Sequence, residues 1–199
     1  VTSPGYRWGN VLSASNNGSA RLTVTDSYFE NNTYSAIFAY NNQHPTDDGV
    51  IIQGNYFIGN NSPIMGGALA IMSSNANVTS NFFSNNTSDM SEDTITLNGV
   101  IADLENNTFY DSLPVGLRDI SVIFDSVINL RHNTFVDTGD LLMIDSSSVV
   151  NANANVFQGG NCSVFSGGTF TDGGNNIAYN ATGCVGANVD PQLSPMFSY

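Results

Sequence analysis

The sequence predicts an all-β parallel β-helix, a solenoid of about seven coils of 20–28 residues. Three observations predict it. The composition favours strands over helices, a Phe-centred motif returns at a nearly constant interval, and an asparagine keeps its place two residues before that Phe.

The 199 residues include 28 asparagines, 23 serines and 15 threonines, while lysine is absent. Val, Ile, Phe, Tyr and Thr recur in short runs, and the usual helix-surface residues are scarce. Hydrophobic residues still make up 41% of the chain, enough apolar surface to offset chain entropy in a folded core. No apolar run approaches the ~20 residues of a membrane-spanning helix, so no membrane insertion is expected.

Taken in chain order, the first coil has an apolar strand over 20–24 and then Ser27-Tyr28-Phe29 with a polar turn at Asn31-Asn32. A strand over 36–40 follows. The second coil repeats this with a strand over 49–53, Asn55-Tyr56-Phe57, a turn at Gly59-Asn60, and a strand over 67–72. The third has 76–79, Asn81-Phe82-Phe83, Asn85-Asn86 and 94–97. The fourth has 99–104, Asn107-Thr108-Phe109, Asp111-Ser112 and a less regular strand over 116–124. The fifth has 127–130, Asn133-Thr134-Phe135, Asp137-Thr138 and 141–145, and the sixth has 149–152 with Asn155-Val156-Phe157. A degenerate seventh copy reads Asn175-Asn176-Ile177.

The key apolar positions are Phe29, Phe57, Phe83, Phe109, Phe135, Phe157 and Ile177, spaced 28, 26, 26, 26, 22 and 20 residues apart. One such coil cannot bury its own Phe. Stacking coils at the ~4.8 Å inter-strand distance places ring on ring along a continuous core. The asparagines Asn55, Asn81, Asn107, Asn133, Asn155 and Asn175 then fall into a second column, where their amides can hydrogen-bond from coil to coil. A β-sandwich of short strands is the competing architecture, and the regular 26-residue unit speaks against it.

Residues 20–190 form the predicted helix. Residues 1–19 lack the full repeat and read as an N-terminal cap or the remnant of a preceding coil. Residues 191–199, with Pro191 and Pro195, read as a tail that closes the last coil or leads onward. A chain starting at Val1 with neither an initiator Met nor a signal peptide is expected to be processed or excised from a longer one.

Cys162 and Cys184 are the only cysteines. Their 22-residue separation is about one coil here, and stacked positions lie within disulfide reach, so a bridge stapling the last two coils is predicted. Such a bridge implies an oxidising compartment, and an extracellular or cell-surface location is expected. Nine Asn-x-Ser/Thr sequons, at Asn17, Asn31, Asn60, Asn77, Asn85, Asn86, Asn106, Asn161 and Asn180, are candidate glycan acceptors if the source is eukaryotic. Composition alone gives roughly five.

Asn32, Asn60 and Asn86 each follow a core Phe by three places, and Gly66-Gly67-Ala68-Leu69 occurs once. Phe-x-x-Asn with Gly-Gly-Ala-Ile/Leu resembles the repeat of the polymorphic outer-membrane protein family. The segment from Gly173-Gly174-Asn175-Asn176-Ile177 through Cys184 to Asp190-Pro191-Gln192-Leu193-Ser194-Pro195 is similar to the closing segment of the broader superfamily. The resemblance implies a right-handed β-helix displayed at a cell surface as an adhesin. Gly-Gly-Ala-Leu appears only once, later copies lose the turn asparagine, and these 199 residues are not expected to include an autotransporter barrel.

Four arginines against 17 acidic residues give a formal net charge of −13, which leaves nothing to neutralise a run of phosphates and excludes nucleic acid as a partner. Polysaccharide lyases and hydrolases also use β-helices, which makes this chain's arginines and carboxylates catalytic candidates. Arg118 and Arg131 lie near Asp119, Asp125 and Asp137, and Asp111 and Asp137 occupy equivalent turns. Asp47-Asp48-Gly49 resembles part of the polygalacturonase signature, without its companion elements. His44 and His132 have no metal-ligand or triad partner at useful spacing.

Oxygen-rich turns around Asp89, Glu92 and Asp93, and around Asp137, Asp140 and Asp145, leave calcium open, but neither carries a known calcium-loop pattern. No cofactor is expected. The sequence therefore predicts a non-catalytic structural or adhesive module. Its expected partners are copies of itself, neighbouring domains of a longer chain, and carbohydrate. The alternatives are a polysaccharide-processing enzyme and a carbohydrate-binding module, the latter marked by a row of exposed aromatics, with Tyr34, Tyr40, Tyr56 and Tyr110 as candidates.

Overall fold

A computed structural model describes residues 11–15, 21–42, 49–90, 92–110, 117–136, 139–145, 147–165 and 167–193. The chain winds as a parallel β-solenoid with three seven-stranded sheets. The first sheet stacks Leu12–Ser15, Ile37–Tyr40, Leu69–Met72, Asp93–Asn98, Arg118–Ile123, Asp140–Ile144 and Asn161–Val164. The second stacks Leu22–Thr25, Val50–Gln53, Asn75–Thr79, Ile101–Glu105, Val127–Arg131, Val149–Asn153 and Thr169–Asp172. The third stacks Tyr28–Glu30, Tyr56–Ile58, Phe82–Ser84, Thr108–Tyr110, Thr134–Val136, Val156–Gln158 and Ile177–Tyr179. Each winding supplies one strand to each sheet in turn, and neighbours pair in parallel. The first sheet begins at Leu12–Ser15, inside the segment read as a cap or remnant, and this strand pairs with Ile37–Tyr40.

Strand alternation sends every second side chain inward. Val78, Leu104, Ile128 and Leu130 from the second sheet meet Ile71, Leu97, Ile120 and Ile144 from the first in one apolar core. The third sheet contributes the rings. Phe57, Phe83, Phe109, Phe135 and Phe157 are each 0% exposed, and Phe29 at the end of the row is 8%. Successive rings from Phe29 to Phe157 stack with centroids 4.7–5.1 Å apart and planes within 15°. That spacing follows from parallel pairing in register, Phe on Phe.

The seventh position differs from the sequence reading. Ile177 pairs with Val156, and Ala178 takes the place over Phe157. Asn175 adopts φ 60°, the left-handed corner conformation that Ala154 and His132 hold one and two windings earlier. The doubled asparagine therefore shifts the last copy by one residue. Ala178 offers no ring, and Phe170 from the second sheet covers Phe157 edge-on at 6.1 Å and 85°.

The middle strands of the first sheet are buried on both faces, as parallel strands are when covered on both sides. Thr96 and Ser121 point away from the core yet are only 1% exposed, which accounts for the less regular pattern read over 116–124.

Candidate functional site

Two amide ladders pin the windings together. At the corner between the second and third sheets, Asn55, Asn81, Asn107, Asn133 and Asn155 are at most 2% exposed. The backbone N–H and side-chain Nδ2 of Asn81 both donate to Asn107 Oδ1 at 3.0 Å. The same Nδ2 donates to the Ile52 carbonyl at 2.9 Å. Asn107 repeats the arrangement toward Asn133 Oδ1 and the Val78 carbonyl. Only a side chain with both an acceptor oxygen and two donor hydrogens can do this.

The last rung is Asn176, not Asn175: Asn155 donates from its backbone N and Nδ2 to Asn176 Oδ1 at 2.9 and 3.0 Å. The first rung is Ser27, whose backbone N–H donates to Asn55 Oδ1.

The second ladder lies after the core Phe. Asn32 donates to Asn60 Oδ1, and Asn60 donates to Asn86 Oδ1 and to the Phe29 carbonyl. This is the physical content of Phe-x-x-Asn. Gly66-Gly67 belongs to the same region: a Cβ on Gly67 would lie 2.3 Å from the Thr87 carbonyl oxygen and 2.5 Å from that of Asn60, so backbone passes where a side chain would stand.

The nine sequons separate by burial. Asn60 and Asn86 are ladder rungs at 0% and 1% exposure, which removes them as acceptors in the folded chain. Asn31, Asn85 and Asn106 occupy exposed left-handed corner positions immediately before the ladder residues. Asn161 and Asn180 are exposed, Asn77 is half-buried on the second sheet, and Asn17 lies outside the described residues. If the chain is made in a eukaryotic secretory host, glycopeptide mass spectrometry should find folded protein unmodified at Asn60 and Asn86. A glycan on either, in protein that keeps its β-sheet circular dichroism, would overturn the second ladder.

Cys162 and Cys184 form a disulfide with Cα atoms 4.8 Å apart. It holds a partial further layer on the last winding. Cys162 N–H donates to the Thr182 carbonyl, and Ile177 bridges to Ala187. Replacing both cysteines by serine is expected to cost about 3 kcal/mol by loop-closure entropy. Amide exchange should rise over 177–188 before it rises in the central windings, and uniform exchange across the chain would refute this local role.

The charged candidates are dispersed. Arg118, on the first sheet, pairs with Asp140 at 3.9 Å. Asp119 is 0% exposed. Arg131, on the outer face of the second sheet, reaches Asp103 at 3.1 Å and Glu105 at 3.9 Å, one winding earlier, and not Asp119 or Asp125. His132 Nδ1 stands 3.5 Å from Glu105. Beside them Asn151 donates to Asn129, and Asn129 donates to Asp103, along the same open face. Proximity in the chain did not mark Asp103 and Glu105, because neighbours of Arg131 across this face lie a full winding away. Asp111, Asp137, His44 and Asp47-Asp48 lie outside the described residues.

Asp93 accepts from Gly66 N–H, Ser88 Oγ and Thr96 Oγ1, so its oxygens serve local structure. Among the described residues no three metal-ligating side chains converge, and no helix is long and apolar enough to cross a membrane. A hollow of about 470 Å³ over the last winding is lined by Ala178, Asn180, Ala181, Thr182 and Cys184, with no titratable acid or base.

Three aromatics, Tyr28, Tyr56 and Phe82, form a row on the third sheet. Tyr56 and Tyr110 are exposed on the third sheet, with Tyr40 exposed on the first and Tyr34 half-buried. Of the four, only Tyr56 belongs to the row, and sequence reasoning missed its neighbours Tyr28 and Phe82. The alternation around the core Phe contained the signal, because the residue just before an inward Phe must point outward.

The chain is thus a laddered parallel β-solenoid with flat polar and aromatic outer faces. No protein-family model, curated protein or solved structure matches it.

Proposed function

We propose that the protein is a non-catalytic extracellular structural and adhesive module. In this reading the solenoid is right-handed, has about seven windings, and belongs to a larger surface protein or filament, glycosylated at its exposed sequons in a eukaryotic source. The observation that carries it is how the repeat uses its residues. Phenylalanines and asparagines hold winding to winding, while Arg131 and the carboxylates it meets sit on open sheet. The residues that resemble the polymorphic outer-membrane repeat, Asn32, Asn60, Asn86 and Gly67, are those that build the second ladder, which supports kinship in architecture. The disulfide supports an oxidising, extracellular setting.

One observation favours a second reading, a polysaccharide lyase or hydrolase: Arg131 has two converging carboxylates, Asp103 and Glu105. A single experiment separates them. Beads coated with the protein are tested for retention on polysaccharide-coated surfaces, and the soluble protein is incubated with pectin, polygalacturonate and alginate. Retention without new reducing ends or unsaturated products is expected. Chain cleavage that disappears in Arg131→Ala would establish the enzyme instead.

A further inference from the structure

We propose that the outer face of the third sheet binds an uncharged, extended β-linked polysaccharide lying along the solenoid axis. The inference rests on the adhesive reading and names its ligand class and site.

Outward positions on this sheet flank the inward Phe column. Tyr28, Tyr56 and Phe82 stand in register in the column before the core Phe, Tyr110 and Tyr179 lie in the column after it, and Glu30 is the only charged residue in the sheet's seven strands. Such segregation is notable in a chain of net charge −13. Tyr28 is 57% and Tyr56 53% exposed. Their rings are not packed flat like the core column. Tyr28 and Tyr56 lie 6.1 Å apart at 30°, and Tyr56 and Phe82 lie 5.9 Å apart at 45°, so the rings are tilted against one another.

The dimensions select the occupant. Seven strands at the inter-strand spacing give a strip about 29 Å long, and three-residue strands make it about 10 Å wide. About 300 Å² is well below the ~800 Å² that each partner contributes to a stable protein–protein interface. A second copy is therefore a poor match, whereas a single linear polymer chain is as narrow as the strip. Sugar rings in an extended β-linked chain recur at a spacing close to the winding rise, so three successive residues can meet Tyr28, Tyr56 and Phe82. Tyrosine supplies an apolar ring and a hydroxyl together, the combination a sugar's C–H faces and hydroxyls require. Charge excludes the acidic polysaccharides: no arginine lies in this sheet's strands, and the protein's overall field repels polyanions.

The test is affinity electrophoresis of the full chain in gels containing hydroxyethylcellulose, xylan, mannan or polygalacturonate. Wild type is compared with Tyr28→Ala/Tyr56→Ala, with Tyr56→Ala alone, and with Tyr40→Ala on the first sheet. Wild type should be retarded by at least one neutral polymer and not by polygalacturonate. The double variant should lose about tenfold or more in affinity, and Tyr40→Ala should match wild type. The tyrosines are exposed, so circular dichroism should be unchanged. If the double variant is misfolded, the single variant carries the comparison. Retardation by polygalacturonate alone, or by no polymer, overturns the proposal. Equal retardation of wild type and variants places binding elsewhere and removes this site while leaving the adhesive reading intact. Cleavage of the polymer overturns the adhesive reading itself.

Discussion

Phe109→Ala is expected to lower unfolding stability by about 3–5 kcal/mol, among the largest effects of any single side-chain truncation here. Phe109 is 0% exposed and lies between Phe83 at 4.8 Å and Phe135 at 4.7 Å. Truncation removes ring burial and opens a void in a rod of parallel rings. The void cannot close, because the winding rise is fixed by backbone hydrogen bonds on three sides. Phe29→Ala provides the internal comparison. Phe29 has one ring neighbour in the column and 8% exposure, so its loss should be smaller. Urea denaturation followed by circular dichroism measures both, and a Phe109→Ala loss below about 1 kcal/mol would contradict the continuous ring column.

Asn107→Leu, which keeps the branched skeleton but lacks the amide, is the second large effect, at about 3–5 kcal/mol. Asn107 Oδ1 is the acceptor for the Asn81 N–H, and its Nδ2 donates to the Val78 carbonyl at 2.7 Å. Leucine leaves both backbone groups buried without these partners, at about 1–3 kcal/mol each. It also deprives the Asn81 Nδ2 and Asn133 Oδ1 atoms of their shared bonds. Asn107→Asp tests the chemistry separately. It keeps the acceptor and removes the donor, so it should destabilise as well, through a carboxylate facing the Val78 carbonyl and Asn133 Oδ1. If Asn107→Leu were neutral, the ladder would be a consequence of the winding and not one of its causes.

Most of this inner architecture was legible beforehand. The strand positions read from the sequence differ from the observed ones by one or two residues, as 76–79 against Asn75–Thr79 or 141–145 against Asp140–Ile144. The Cys162–Cys184 bridge followed from one coil's separation. Reading failed where two residues of the same type stand together. At Asn175-Asn176 the choice of ladder rung depends on which residue takes the left-handed corner, and composition cannot distinguish them. Two of the sequons carry a related ambiguity. Asn60 and Asn86 serve the second ladder, so the same letters that mark an acceptor site here mark a buried amide.

What the sequence determined alone is the set of inward residues. Burial favours Phe in one column and Asn in the next, and the windings between Ser27 at one end and Ala178 at the other repeat the demand, leaving a period that can be counted. What the tertiary structure decided is who meets whom outside: Arg131 with Asp103, Tyr28 with Tyr56, Phe170 edge-on to Phe157. Solvent accepts many side chains at those positions, so no period marks them. Their partners are set by the register between windings more than twenty residues apart in the chain, except where a neighbouring sheet fills a gap in the column.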